Sequence, residues 1–202
     1  MTPRPPQARR TRLLLGISIF WLALSILSDG LISLVLPKHL LDLGTTAGAA
    51  TTLGLLTFVG LAGGMLVQPV AGQWSDRLRY RYGRHVFVGA GVVLLVVSLG
   101  AFALTRHLAT LFIAYLAVQV AASMAQAAQQ GYIPDLVPPD SRGLAAGFKG
   151  FMDTGGATIA FILLGSLLAG DSIAPAIVAM IASLVATYLL AVLLVREPRI
   201  AT

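Results

Sequence analysis

Six apolar runs constrain the fold of this chain more than any other feature. A helix needs about 20 apolar residues to cross roughly 30 Å of hydrocarbon. Only 11% of the 202 residues are charged, against about 25% in soluble domains. The sequence therefore predicts an all-α integral membrane protein, a bundle of six transmembrane helices. These segments, numbered 1 to 6, cover residues 13–36, 47–71, 86–105, 108–133, 143–169 and 173–195.

The flanking residues complete the predicted organisation. Residues 1–12 are rich in proline and arginine without an apolar face, which predicts a disordered tail, and residues 196–202 form a second short tail. Segment 1 is too long for the apolar core of a signal peptide and has no small-x-small cleavage site, so we interpret it as a spanning helix. Short connections predict one compact membrane domain over residues 13–195.

Basic residues divide unequally between the two sides of the predicted bundle. If the N-terminus is cytoplasmic, eleven of them lie inside and only Lys38 and Arg106 lie outside. This bias predicts that both termini are cytoplasmic, in a plasma or inner membrane, with the basic loops against anionic lipid headgroups. The inner set is Arg4, Arg9, Arg10, Arg12, Arg77, Arg79, Arg81, Arg84, Arg142, Arg196 and Arg199.

Several function classes are excluded by residue type. The chain has no cysteine, which excludes disulfides and thiolate metal sites, and its three histidines lie in or beside loops. The net charge of +6 follows the membrane topology rather than a patch for nucleic acid. No nucleophile with a neighbouring base and no phosphate-binding loop is recognisable. The sequence predicts no enzyme, no cofactor and no metal.

Three ionisable residues fall within the predicted spans, where each is a functional hypothesis by default. Asp29 shares one side of segment 1 with Ser18, Ser25 and Ser33 and has no basic residue nearby in sequence. As an ionisable group at membrane depth without a local cation, Asp29 is a candidate for proton or cation coupling. Lys149 and Asp153, four residues apart, predict either a structural ion pair or a substrate contact.

A polar stripe runs along segment 4. Its five members recur at spacings of three and four residues, which places them on one helix face. The stripe either bonds neighbouring helices together, as polar residues in membranes do, or lines a substrate cavity. The members are Tyr115, Gln119, Ser123, Gln126 and Gln130.

Glycines concentrate in segments 2 and 5. Glycine allows two helix backbones to approach closely, so these segments are predicted to form the main packing or dimerising surfaces. The residues are Gly60, Gly63 and Gly64 in segment 2, and Gly143, Gly147, Gly150, Gly155 and Gly156 in segment 5.

The stretch GQWSDRLRYRYGRH, between segments 2 and 3, resembles the cytoplasmic loop shared by the major facilitator superfamily. The preceding "VQP" makes it most similar to the sucrose-proton and glycoside-cation symporters. IPDLVPPDSRGLAAG resembles the link between helices 4 and 5 of the same superfamily through Asp135, Arg142 and Gly143. Matching positions in the first stretch and its preface are Gln68, Pro69, Gly72, Ser75, Asp76, Arg77, Arg81, Gly83 and Arg84.

The resemblance implies secondary transport of a small sugar-like or drug-like solute, coupled to protons through Asp29. Asp76 is then expected to meet the positive end of a helix dipole in an opposite half and hold the cytoplasmic side closed, while the arginines pair with nearby acids. Superfamily members have two six-helix halves, and this sequence accounts for one. We therefore expect a homodimer, a heterodimer with a separate C-terminal half, a truncated carrier without activity, or a membrane protein that regulates a full-length carrier.

Overall fold

The computed structural model describes residues 7–45 and 48–195, and the side chains of 11–45, 48–78 and 83–195. Within these ranges the chain is helical without strands, and six helices are long and apolar enough to span a membrane. The fold is the predicted all-α six-helix bundle, consistent with one half of a major facilitator fold.

The six spanning helices are α1 (Gln7–Gly30, continued by a π-helical turn Leu31–Val35 and by Leu36–Asp42), α2 (Ala49–Tyr82), α3 (Arg84–Ala103), α4 (Leu108–Gln130), α5 (Arg142–Ile159, continued by a π-helical turn Ala160–Leu164 and by Gly165–Leu167) and α6 (Ala174–Leu194). They differ from the hydropathy prediction mainly in α1 and α2, which are longer than predicted, and in α1 and α5, which each contain a π-helical turn. A short helix, Tyr132–Leu136, follows α4.

Two predicted irregular segments are helical. Residues 7–12, predicted as part of a disordered tail, begin α1, whereas residues 1–6 lie outside the described chain. The polar stretch from 72 to 85, predicted as a loop, continues α2 as far as Tyr82. The chain reverses at Gly83, whose φ of 81° is in the left-handed region that favours glycine. The change from apolar to polar residues shows where α2 leaves the apolar core, but the helix itself continues beyond that point.

The helices pack as two interlocked groups of three. α1 packs mainly against α5 and α6, and α4 packs mainly against α2 and α3. Exchanging α1 with α4, α2 with α5 and α3 with α6 preserves this pattern, as expected for the inverted three-helix repeats nested within such halves. α1 is the most buried helix, with Phe20, Leu27 and Leu31 almost fully enclosed, so it forms the centre of the bundle.

Glycines set close helix contacts within each group of three. In α2, a Cβ added at Gly60 or Gly64 would collide with Tyr115 or the Ser123 hydroxyl of α4. In α5, only Gly156 makes such a contact, against the backbone of α1; Cβ atoms at Gly143, Gly147, Gly150 and Gly155 would meet open space. The α2 glycines therefore serve packing within this bundle, and most α5 glycines lie on its open surface.

Gly156 and Gly155 give a matched pair of substitutions. Alanine at Gly156 would place its Cβ against the Leu22 carbonyl oxygen and 2.8 Å from the Ser25 Cβ. Because backbone atoms cannot yield, α1 and α5 must separate, at an expected cost of about 1–3 kcal/mol. Gly155→Ala meets no neighbour and is expected to change stability by less than about 0.5 kcal/mol. Reversible unfolding in mixed micelles measures both, and equal effects would contradict the close α1–α5 contact.

Candidate functional site

An open, mostly polar pocket lies between α1, α4 and α5. Its volume is about 220 Å³, below the roughly 300–1,000 Å³ typical of drug-sized ligand sites. Three predicted site residues from three different helices line it, namely Asp29, Gln126 and Asp153. The remaining lining residues are Trp21, Leu24, Ser25 and Ser28.

Asp29 lies half-buried at this pocket, held by its own helix. The Ser25 hydroxyl, one turn earlier on α1, donates a hydrogen bond of 2.8 Å to Asp29 Oδ2. This bond uses part of the acceptor capacity of one carboxylate oxygen and fixes the orientation of the group. The carboxyl group therefore faces a polar space while anchored to the most buried helix of the bundle.

Lys149 does not form the predicted ion pair with Asp153. Its Nζ lies 3.8 Å from the centroid of the Trp21 ring, a cation–π geometry that joins α5 to α1. Asp153, one turn further along α5, is exposed, and the structure shows no Lys149–Asp153 ion pair within 4.0 Å between these two described residues. Helical spacing made the pair possible, but an aromatic ring on another helix offers the ammonium a different partner.

The predicted stripe on α4 divides between two roles. Gln126 reaches the pocket and accepts a 2.6 Å hydrogen bond from Gln68 Nε2 of α2. Tyr115 is 1% exposed, and its hydroxyl accepts a bond from Gln119 at 2.9 Å. Both of these, like Ser123, pack toward the α2 glycines. Gln130 is exposed and does not line the pocket.

A charged network at one end of the bundle is centred on Arg84, whose side chain is only 6% exposed. Its guanidinium donates from Nε to Asp135 at 2.6 Å, from one terminal nitrogen to Asp76 at 2.6 Å, and from the other to Ser75 at 3.1 Å. The guanidinium also packs against Gly131. One arginine thus ties the end of α2 and the beginning of α3 to the segment after α4.

The other residues of the two motifs are placed around this network. Asp76, predicted to meet an opposite half, bonds Arg84 of its own chain while its side chain stays 61% exposed. Arg142 donates to the backbone carbonyls of Pro134 and Val137 at 3.1 and 3.3 Å. Arg77 and Gly143 are exposed, and Gly72 faces open space. The side chain of Arg81 lies outside the described part of the chain.

Three residues at or near the site escaped sequence reasoning. Trp21 lies in an apolar run, where a tryptophan is expected to be part of the hydrophobic core. Ser28 was not singled out because Asp29, the next residue, was the stronger candidate. Gln129 is 1% exposed and donates a 2.6 Å hydrogen bond to the Ile17 carbonyl of α1. Its position next to the predicted stripe, in the run QAAQQ, was the one available indication.

Comparison with known proteins agrees with this architecture. Residues 13–201 match the sequence profile of the Major Facilitator Superfamily. No curated protein matches the chain. The match is to the superfamily as a whole and gives no support to the sucrose-proton or glycoside-cation branch. Six spanning helices and a match over most of the sequence lead to one conclusion: the chain belongs to the major facilitator superfamily, a family of multi-pass membrane transporters of small solutes.

Proposed function

We propose that this chain performs secondary active transport of a small solute and couples it to protons through Asp29. The observation that carries the proposal is the pocket in which Asp29, Gln126 and Asp153 converge from α1, α4 and α5. Ionisable groups at membrane depth cost free energy to bury, so those that a chain keeps usually serve a function. A carboxyl group there can change its charge by taking up a proton, which is the minimum chemistry that proton coupling requires.

A second six-helix unit would complete the site. The pocket opens at the surface of the bundle, and superfamily members hold substrate between two halves near the membrane midplane. We propose that the second unit is another copy of this chain or a separate C-terminal half. The exposed face of Asp76 and the open glycine surface of α5 would face it, with both termini in the cytoplasm.

Proteoliposomes test the transport proposal directly. The chain is reconstituted alone, or with a C-terminal six-helix half, in vesicles that contain a pH-sensitive dye. Sugars and organic cations are then added across an imposed pH gradient. Transport is expected to appear as a solute-dependent proton flux. Absence of flux in both preparations would contradict it, and co-purification with a full-length carrier would then favour a regulatory role.

The arrangement of the two units is tested by crosslinking. Because the chain has no native cysteine, Asp76→Cys with Arg142→Cys introduces the only two thiols. A symmetric pair of copies is expected to give an intermolecular disulfide in lipid nanodiscs. A chain that stays monomeric in nanodiscs and uncrosslinked would rule out the homodimer and leave the separate half.

A further inference from the structure

The pocket carries two carboxylates and no compensating positive charge of its own. Asp29 comes from α1 and Asp153 from α5, and no basic residue is among the described residues that line the space. Asp29 accepts a hydrogen bond from Ser25, and within the described ranges neither carboxylate has an ion-pair partner within 4.0 Å. Two acids that share a site attract a cation or a proton.

Lys149 is the natural candidate to neutralise this pair, yet it is engaged elsewhere. Its ammonium lies over the Trp21 ring, 3.8 Å from the centroid, although Asp153 is only one helical turn away. The contact leaves the carboxylates available and covers one face of the indole. Since Trp21 is only 2% exposed, the pocket offers no open aromatic surface of the kind on which a sugar ring stacks.

The other polar groups suit a hydrogen-bond donor. Ser25, Ser28 and Gln126 add hydroxyl and amide oxygens around the two acids. The indole Nε1 of Trp21 is buried without a hydrogen-bond partner among the described residues. Such an unpaired donor is unusual in a folded protein, and a polar atom of a bound ligand or water would satisfy it. The two carboxylates and the serine and glutamine oxygens make the lining rich in acceptors, and the buried indole N–H of Trp21 is left without a partner among the described residues.

We propose that this pocket binds a small organic cation of the protonated-amine class, with Asp29 and Asp153 as its counter-charges. The proposal rests on the transport function above and names its substrate class. The ammonium group donates to the carboxylates and to the serine and glutamine oxygens, and the organic part of the ligand lies toward Leu24. Lys149 repels the ligand through its like charge and so weakens its binding.

Binding is tested with benzylammonium, its neutral isostere benzyl alcohol, and sucrose. Trp74, 56% exposed on α2, is the only other tryptophan, so Trp74→Phe makes Trp21 fluorescence a direct reporter of the pocket in mixed micelles, which contribute no tryptophan. Benzylammonium is expected to change the emission saturably. Benzyl alcohol and sucrose are expected to bind at least roughly tenfold more weakly, because they lack a charge-assisted hydrogen bond. Equal binding of the neutral isostere, or no binding of benzylammonium, would overturn the proposal.

Substitutions of charged residues distinguish binding at this pocket from general effects on folding or surface charge. Asp29→Asn and Asp153→Asn are each expected to weaken benzylammonium binding roughly 10- to 100-fold. Asp171→Asn removes an exposed acid outside the pocket and is expected to leave binding unchanged. Lys149→Gln is expected to tighten binding roughly 3- to 10-fold by removing a like charge, a gain that misfolding cannot produce. Acid variants that bind like the parent would refute the assignment.

The cation-binding proposal and the transport proposal can fail independently of each other. Charge-dependent binding without proton flux in vesicles would leave the cation site standing and remove the transport function. Proton flux driven by sugars, together with no charge-dependent binding, would leave transport standing and remove the cation site.

Discussion

Asp29→Asn is expected to reduce proton-driven solute uptake to the level of empty vesicles while the protein remains folded. Asparagine has the shape of aspartate and can still accept the hydrogen bond from Ser25, but it cannot take up a proton. Exchange of solute across the membrane at saturating concentration should persist and lose its pH dependence. Uptake in proteoliposomes with and without a pH gradient measures both effects.

The control for Asp29→Asn is Asp171→Asn, which removes the same charge from the exposed connection between α5 and α6. It is expected to transport like the parent chain. Proton-driven uptake that survives in the Asp29→Asn protein would show that another group carries the proton, with Asp153 of the same pocket as the next residue to test.

Arg84→Ala should cause a large loss of stability. The substitution removes three hydrogen bonds and leaves Asp135, whose side chain is 25% exposed, without this cation. Loss of one partner from a fully buried ion pair costs about 3–5 kcal/mol, and here the partial exposure of both carboxylates reduces the expected cost to about 2–3 kcal/mol. Unfolding in mixed micelles measures the change.

Arg84→Lys tests whether charge or geometry stabilises the network. A lysine ammonium cannot reproduce the planar fork with which Arg84 contacts three side chains on two segments, so most of the loss is expected to remain. Arg106→Ala, an exposed arginine between α3 and α4, is the matched control and should change stability by less than about 0.5 kcal/mol. Comparable losses for Arg84 and Arg106 would show that the network contributes little.

The number and class of the helices could be predicted because spanning length and apolar composition are properties of local sequence. Helix ends could not. The stretch from 72 to 85 is polar, yet α2 continues through most of it, since a helix that leaves the hydrocarbon core has no physical reason to stop there. Gly83, the residue that ends α2, was identified only through its motif.

The contents of the pocket were partly predictable. Polar residues in an apolar span are visible in sequence, and this placed Asp29, Gln126 and Asp153 among the candidates. Which of them meet depends on packing between distant segments. Lys149 lies over the Trp21 ring of α1, and Tyr115 packs against Gly60 of α2. Both contacts join different helices, and the periodicity of residues within one helix cannot predict such contacts.

The packing of α1 against α5 and α6, rather than against the next two helices in the chain, has a consequence for biogenesis. α1 is synthesised before the other five helices described, yet the two that it packs against, α5 and α6, come after α2, α3 and α4. Until α5 and α6 are inserted, Asp29 and several serines of α1 lack the helices that surround them in the folded bundle. These polar side chains must then be shielded by water, lipid headgroups or an insertion chaperone. The packing around α1 is therefore expected to be completed only after α5 and α6 have inserted, and truncation before α5 should yield a chain that inserts but is rapidly degraded.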